Sequence, residues 1–208
     1  MSPSVADIQI HGVTRGAFLA RSALAAGALY GAAAAGPALT AALGHSKHGA
    51  FGGGDIGIVN FALTLEKIEA DFYKQALAVE GLSADAKKLM ESIAANEDEH
   101  VKTLTQSITQ LGGKPDPAPQ TKFPPLDSPD VVLQLAVQLE DTGVWSYNGA
   151  ATQIQSTDLL QTIASIAQVE ARQAGALREL DGRSPTDSPF DAVFSGEQAD
   201  DAVHELTS

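Results

Sequence analysis

The chain has 208 residues and carries 26 Asp and Glu against 13 Lys and Arg, a formal charge of -13; that length suits one domain with a sizeable core plus tails, and the charge repels phosphate backbones and anionic lipid heads, which argues against nucleic acid as a partner. Cysteine is absent, which excludes disulfides, thiolate metal sites and a cysteine nucleophile, so any metal must be held by carboxylate and imidazole. Aromatics are only 5% of the chain, and Pro and Gly cluster at the N-terminus, in 112–129 and after 182, a distribution that predicts long helices.

Residues 1–45 read as an export signal or membrane-proximal segment. From Ser22 to Leu43 there is no charge, Arg15 and Arg21 precede the run, and the loop-like HSKHGAFGGG follows it; this is the order of a secretory signal. The run is about long enough to span a bilayer, but it is rich in Ala and Gly and is interrupted at Gly36-Pro37. A cleaved signal, cut near Ala33 to Ala35, is therefore expected over a permanent anchor. Thr14-Arg15-Gly16-Ala17-Phe18-Leu19 is similar to a twin-arginine signal, with Gly16 in the second arginine position. The expected location is the cell envelope, the periplasm or outside the cell, with membrane contact only through this segment if it is uncleaved. Residues 46–54 form a Gly-rich linker, to which His48, like the adjacent His45, is assigned rather than to a metal site.

Residues 55–182 are expected to form four helices. The first starts after Gly54 with Asp55 as its cap and runs to about Val79; the second starts at the cap Ser83 and ends at Leu111, before Gly112-Gly113. A proline-rich connection, GKPDPAPQTKFPPLD, is long enough to cross the end of a bundle. Ser128-Pro129 then gives the cap and first residue of the third helix, which runs to about Gln155. The fourth starts near Thr157 and stops at Leu180 before Asp181-Gly182, and the tail, 183–208, holds a short helix from Glu197 to Leu206.

The two hairpins are related. Ala62-Leu63-Thr64-Leu65-Glu66 matches Ala136-Val137-Gln138-Leu139-Glu140, with Tyr73 and Tyr147 each seven residues further on, at an offset of 74. Ser92-Ile93-Ala94, Glu97 and Leu104 match Ser165-Ile166-Ala167, Glu170 and Leu177, at an offset of 73. Two alignments at nearly one offset indicate a doubled helical hairpin.

Each helix then carries one acid in the middle of an apolar stripe. Glu66 lies among Val59, Ala62, Glu69, Tyr73 and Ala76; Glu97 among Met90, Ile93, His100 and Leu104; Glu140 among Leu133, Ala136, Gly143 and Tyr147; Glu170 among Ile163, Ile166, Gln173 and Leu177. Burying one unpaired carboxylate costs several kcal/mol, so four converging ones need counter-charge, and Arg172 and Arg178 lie off the stripe. Two divalent cations would balance them, and oxygen donors with imidazole suit iron or manganese. In known four-helix sites two helices give one Glu each and two give Glu-x-x-His. Glu66 and Glu140 supply the first kind and Glu97-Asp98-Glu99-His100 the second.

NFALTLEKIEADFY (60–73), NEDEH (96–100), QLEDTGVWSY (138–147) and SIAQVEARQAGALRELDG (165–182) resemble ferritin-like proteins, above all the exported bacterial branch related to desiccation-associated proteins, over roughly 52–206. The resemblance implies an all-α fold, a ferritin-like antiparallel four-helix bundle with a long crossover between helices two and three and a short C-terminal helix. It also implies one or two iron or manganese ions per chain, held by Glu66, Glu97, His100, Glu140, Glu170 and residue 173. The family pattern calls for His at that last position and this chain has Gln173, whose neutral amide oxygen is a poorer ligand. One metal position is thus expected to be well held and the other weak.

Glu69 is a reserve candidate that a partly solvated position would explain equally well. Tyr73 and Tyr147 are placed to bond ligands on a facing helix, or simply to pack. Trp145 belongs to another face, and Asp98 and Glu99 to a solvated one. The leading expectation is a metalloprotein that reacts with dioxygen or peroxide or oxidises ferrous iron. The alternative is a non-catalytic stress or interaction protein with a degenerate site. Homo-oligomer formation is compatible with either.

Overall fold

The computed structural model describes residues 50–186 and 188–207. The expected export signal, with His45 and His48, lies outside the described residues. Five helices are present among them: α1 Gly54–Ala76, α2 Ala84–Gln110, α3 Pro129–Ala150, α4 Thr157–Leu180 and α5 Gly196–Thr207. The described residues contain no strand and no helix long and apolar enough to cross a membrane.

Local chemistry sets the ends. Ser83, Ser128 and Ser156 each accept a hydrogen bond from a first-turn N–H, those of Ala86, Val131 and Leu159, and Pro129 opens α3 where no N–H is needed. Gly112 closes α2 in the left-handed region, φ 77°, which lets the N–H of Gly113 return to the carbonyl of Ile108 at 2.9 Å. Asp55 does not cap α1 as expected. Gly53 holds that position without a side-chain bond, and the Asp55 carboxylate instead accepts from the N–H groups of Gln155 and Ser156, at 2.8 and 2.7 Å. With those two amides taken, α3 stops at Ala150, short of the expected Gln155. α1 also ends before Val79, where short bonds such as Val79 N–H to the Ala76 carbonyl, 3.0 Å, tighten the chain into the turn.

Paired contacts fix the topology. Tyr73 of α1 bonds Glu140 of α3, and Tyr147 of α3 bonds Glu66 of α1, so α1 and α3 run in opposite directions. The connection from α2 to α3 then travels the length of α1. The Asn60 side chain bonds the backbone at Lys114 and Asp116, Thr121 bonds Asp71, and Phe123 packs edge-on against Phe72 at 5.4 Å. It is the long crossover expected from the proline-rich segment. α5 lies against α3 and buries Ala199 and Leu206, and its Leu206 carbonyl accepts the N–H of Lys122 at 2.8 Å.

Apolar residues fill the bundle in two groups. One contains Phe72, Met90, Leu133, Leu139 and Leu177, and the other Val59, Leu63, Leu104, Ile108 and Ile163. By their positions along the helices these groups lie toward opposite ends, with the acids at mid-helix between them. Burial of these side chains supplies the main driving force for the fold. Trp145 sits outside this core, its ring 5.2 Å from Phe194. That tail segment comes so close to α3 that a Cβ at Gly149 would meet the Phe194 carbonyl at 1.9 Å.

Candidate metal centre

Three of the four mid-helix acids, Glu66, Glu97 and Glu170, come together with His100, and Glu140 stands outside that tight set. Glu66, Glu97, Glu140 and Glu170 are each 0% exposed, Glu69 is 1% and His100 is 9%. Ligand atoms of Glu66, Glu97, His100 and Glu170 all lie within 4.8 Å of one another. The His100 Nδ1 stands 2.9 Å from Glu97 Oε2 and 3.1 Å from Glu66 Oε2. A three-residue spacing puts Glu97 and His100 on one face of α2, and the antiparallel hairpin brings Glu66 against them.

The second hairpin contributes differently. Gln173 is buried, and its Nε2 donates to Glu97 Oε1 at 2.9 Å, across the bundle from its own repeat. Its Oε1 has no hydrogen-bond partner. Glu140 accepts from the Tyr73 hydroxyl through Oε1 and Glu66 from Tyr147 through Oε1, so both tyrosines bond an acid on a facing helix.

Of the two readings open for Glu69, the structure excludes the partly solvated one. The side chain is buried and neither oxygen has a partner, because the face it shares with Glu66 turns wholly inward. Asp98 and Glu99 are exposed as expected, and Glu99 pairs with Lys102.

Burial and mutual repulsion set the protonation of this cluster. Burial, joined by the charges of its neighbours, pushes the carboxyls of Glu69, Glu140 and Glu170 well up. Burial raises Glu97 to about 8 against the pull of His100. Burial also opposes charge on His100, but the hydrogen bonds to Glu66 and Glu97 prevail and lift it to about 10. Glu66 is the exception. Burial would raise it, yet hydrogen bonds led by that of His100 hold it below the ordinary range.

Carboxylate oxygens are acceptors that need a proton, a donor or a cation. Both oxygens of Glu170, both of Glu69, Oε2 of Glu140 and Oε1 of Gln173 are buried without a hydrogen-bond partner. Such orphaned oxygens beside an imidazole fit a hard or borderline divalent cation, and the donor set is compatible with iron or manganese. His100 also faces outward, into an open groove of about 520 Å³ between α2 and α4 lined in part by Thr103, Asp158, Thr162, Ser165 and Val169.

Three features escaped the sequence reading. Gly143 leaves room for Glu170, since a Cβ there would lie 2.4 Å from Glu170 Oε2; its signal was a glycine at mid-helix, three residues beyond Glu140. Ser146 is buried with no partner for its hydroxyl. Arg178 forms an ion pair with Asp141 of α3, joining the second hairpin away from the acid cluster.

Comparison with known proteins agrees with this architecture. The ferritin-like domain model matches residues 54–183. The crystal structure of a conserved hypothetical protein from Mycobacterium tuberculosis superposes with a TM-score of 0.56 at 16% identity, covering 65% of this chain and 96% of that one, which shows a shared fold. Among curated proteins none matches the chain in sequence. With more than half its length matched and an all-helical bundle closed around mid-helix acids, the chain belongs to the ferritin-like domain family.

Proposed function

We propose that the bundle holds iron or manganese in a carboxylate-rich centre that reacts with dioxygen or peroxide, or takes ferrous iron as its substrate. The observation that carries this reading is the set Glu66, Glu97, His100 and Glu170, with ligand atoms within 4.8 Å of one another. These four residues would hold the firmer ion, and Glu140 with Gln173 would contribute to a weaker second position. When bound, the metal would supply one-electron redox chemistry that carboxylates and imidazole lack.

The side chains have definable tasks. His100 would give up its Nδ1 proton so that this nitrogen can ligate. Tyr73 and Tyr147 fix Glu140 and Glu66 by donating to one oxygen of each, leaving Glu140 Oε2 without a partner and Glu66 Oε2 against His100. The two apolar groups exclude water from both ends of the centre, and the groove beside His100 is the approach for a small reactant. The N-terminal charge pattern, together with resemblance to exported desiccation-related proteins, supports action outside the cytoplasmic membrane.

One observation favours a second reading, a non-catalytic stress or interaction protein with a degenerate site. Gln173 turns an amide N–H toward Glu97 where a ligand is wanted. Elemental analysis of protein purified without chelator tests the primary reading, with Glu97→Ala and Glu140→Ala as controls. Iron or manganese should be present and should fall in both variants; unchanged metal in both would refute the assignment. Turnover of ferrous iron or peroxide would count against the degenerate-site reading.

A further inference from the structure

The hairpin repeat is broken at two places inside the centre. The offset of 73 pairs His100 with Gln173, and the offset of 74 pairs Glu69 with Gly143. The second hairpin thus lacks an imidazole that the first has, and the first carries an acid that the second lacks. We infer that Glu69 is a metal ligand that replaces the missing imidazole, completing the second metal position with Glu140 and Glu170.

Three observations support this. Glu69 is 1% exposed and neither carboxylate oxygen has a hydrogen-bond partner, whereas an acid kept only for structure would be expected to have a donor. It stands one turn beyond Glu66, toward the end of α1 where Tyr73 reaches Glu140, so its position along the helix is that of the second hairpin's acids. A carboxylate offers two oxygens and a negative charge, and so holds a divalent cation better than an amide oxygen does. Gly143 keeps the corresponding place in the other hairpin clear, and Glu170 occupies that space.

The inference rests on the proposed metal centre, and the test separates the two. Chelator-treated full-length protein would be titrated with manganese(II) without oxygen, with stoichiometry read by elemental analysis and affinity by calorimetry. Wild type should bind two ions per chain. Glu69→Gln should bind one, at unchanged affinity, and adding Gln173→His to that variant should restore the second. Two ions in Glu69→Gln, or no restoration by histidine, would overturn the role of Glu69. One ion in both wild type and Glu69→Gln would do the same while leaving the centre standing, and no ion in wild type would overturn both. Thermal melting of the metal-free variant serves as the folding control, and it should not fall below wild type, because the carboxyl it replaces has no partner to lose and its charge is disfavoured by burial.

Discussion

Gln173 donates to Glu97 rather than to an acid of its own hairpin, with Nε2 and Oε1 2.9 Å apart. One amide thereby ties α4 to α2 and presents an N–H to the acid closest to His100. Replacement by histidine puts a ring nitrogen that can ligate in the place of an amide oxygen that ligates poorly. Gln173→His should tighten the weaker ion by roughly tenfold or more, in line with the usual effect of altering groups around a metal. Competition against a calibrated chelator measures this, and an unchanged affinity would contradict the asymmetry assigned to the centre.

Gly143→Ala adds a methyl group 2.4 Å from Glu170 Oε2 and 2.9 Å from its Cδ. The gain in helix propensity, about 1 kcal/mol, offsets an overpacking cost of about 1–3 kcal/mol. The melting temperature should therefore fall by only a few degrees while metal affinity drops sharply, because Glu170 has to move. Paired melting and metal-binding curves would reveal the divergence; a parallel loss of both would mean that the glycine serves packing alone.

The metal-free protein should lose stability as pH rises. Glu97 is raised from 4.5 to about 8 and His100 from 6.5 to about 10, so across about pH 5 to 10 the folded chain binds more protons than the unfolded one, and stability falls with pH. Burial shifts Glu69, Glu140 and Glu170 in the same direction. Glu66, lowered instead, acts oppositely, and its contribution is lost in acid below its ordinary 4.5. Bound cations replace these protons, so the loaded protein should show a flatter profile. Denaturant midpoints from pH 5 to 9, with and without manganese, would check both slopes.

Tyr73→Phe and Tyr147→Phe should each cost about 1–3 kcal/mol, because each removes the donor to a buried carboxylate oxygen. Their effects on metal should differ. Tyr147 supports Glu66, in the tight set with His100, and Tyr73 supports Glu140, so Tyr147→Phe should weaken the firmer ion and Tyr73→Phe the other. Two-site titrations of the two variants would show whether the losses fall on different ions.

Asp55→Ala should destabilise the fold by about 1–2 kcal/mol, the cost of losing a helix-capping acid. Its carboxylate accepts two N–H groups at the entry to α4, about a hundred positions further along the chain. An Asp55→Asn variant, which retains one acceptor oxygen, should recover part of the loss in chemical denaturation.

The helices and their order were legible because apolar periodicity and serine caps point the same way at α2, α3 and α4, joined by terminal glycines at α2 and α4. The convergence of Glu66, Glu97 and Glu170 on His100 was legible because one acid interrupts each stripe. What escaped depended on contacts between distant segments. Asp55 has the local signature of a cap for its own helix, and only the closed bundle brings the amides of Gln155 and Ser156 to it. Glu69 and Glu66 share one helical face, and sequence spacing cannot tell whether that face is wide enough to bury both.

The reciprocal bonds of Tyr73 to Glu140 and of Tyr147 to Glu66 carry an evolutionary consequence. Each hairpin supplies the donor that the other needs, which is the self-complementary pattern of a two-fold dimer. A single ancestral hairpin could have assembled with its own copy through the same tyrosine and glutamate, and the crossover along α1 would then be the splice that joined the copies. In such a dimer every substitution is made twice. Within one chain that restriction is absent, so Gln173 can stand in one half and Glu69 in the other without altering both sides of the centre at once.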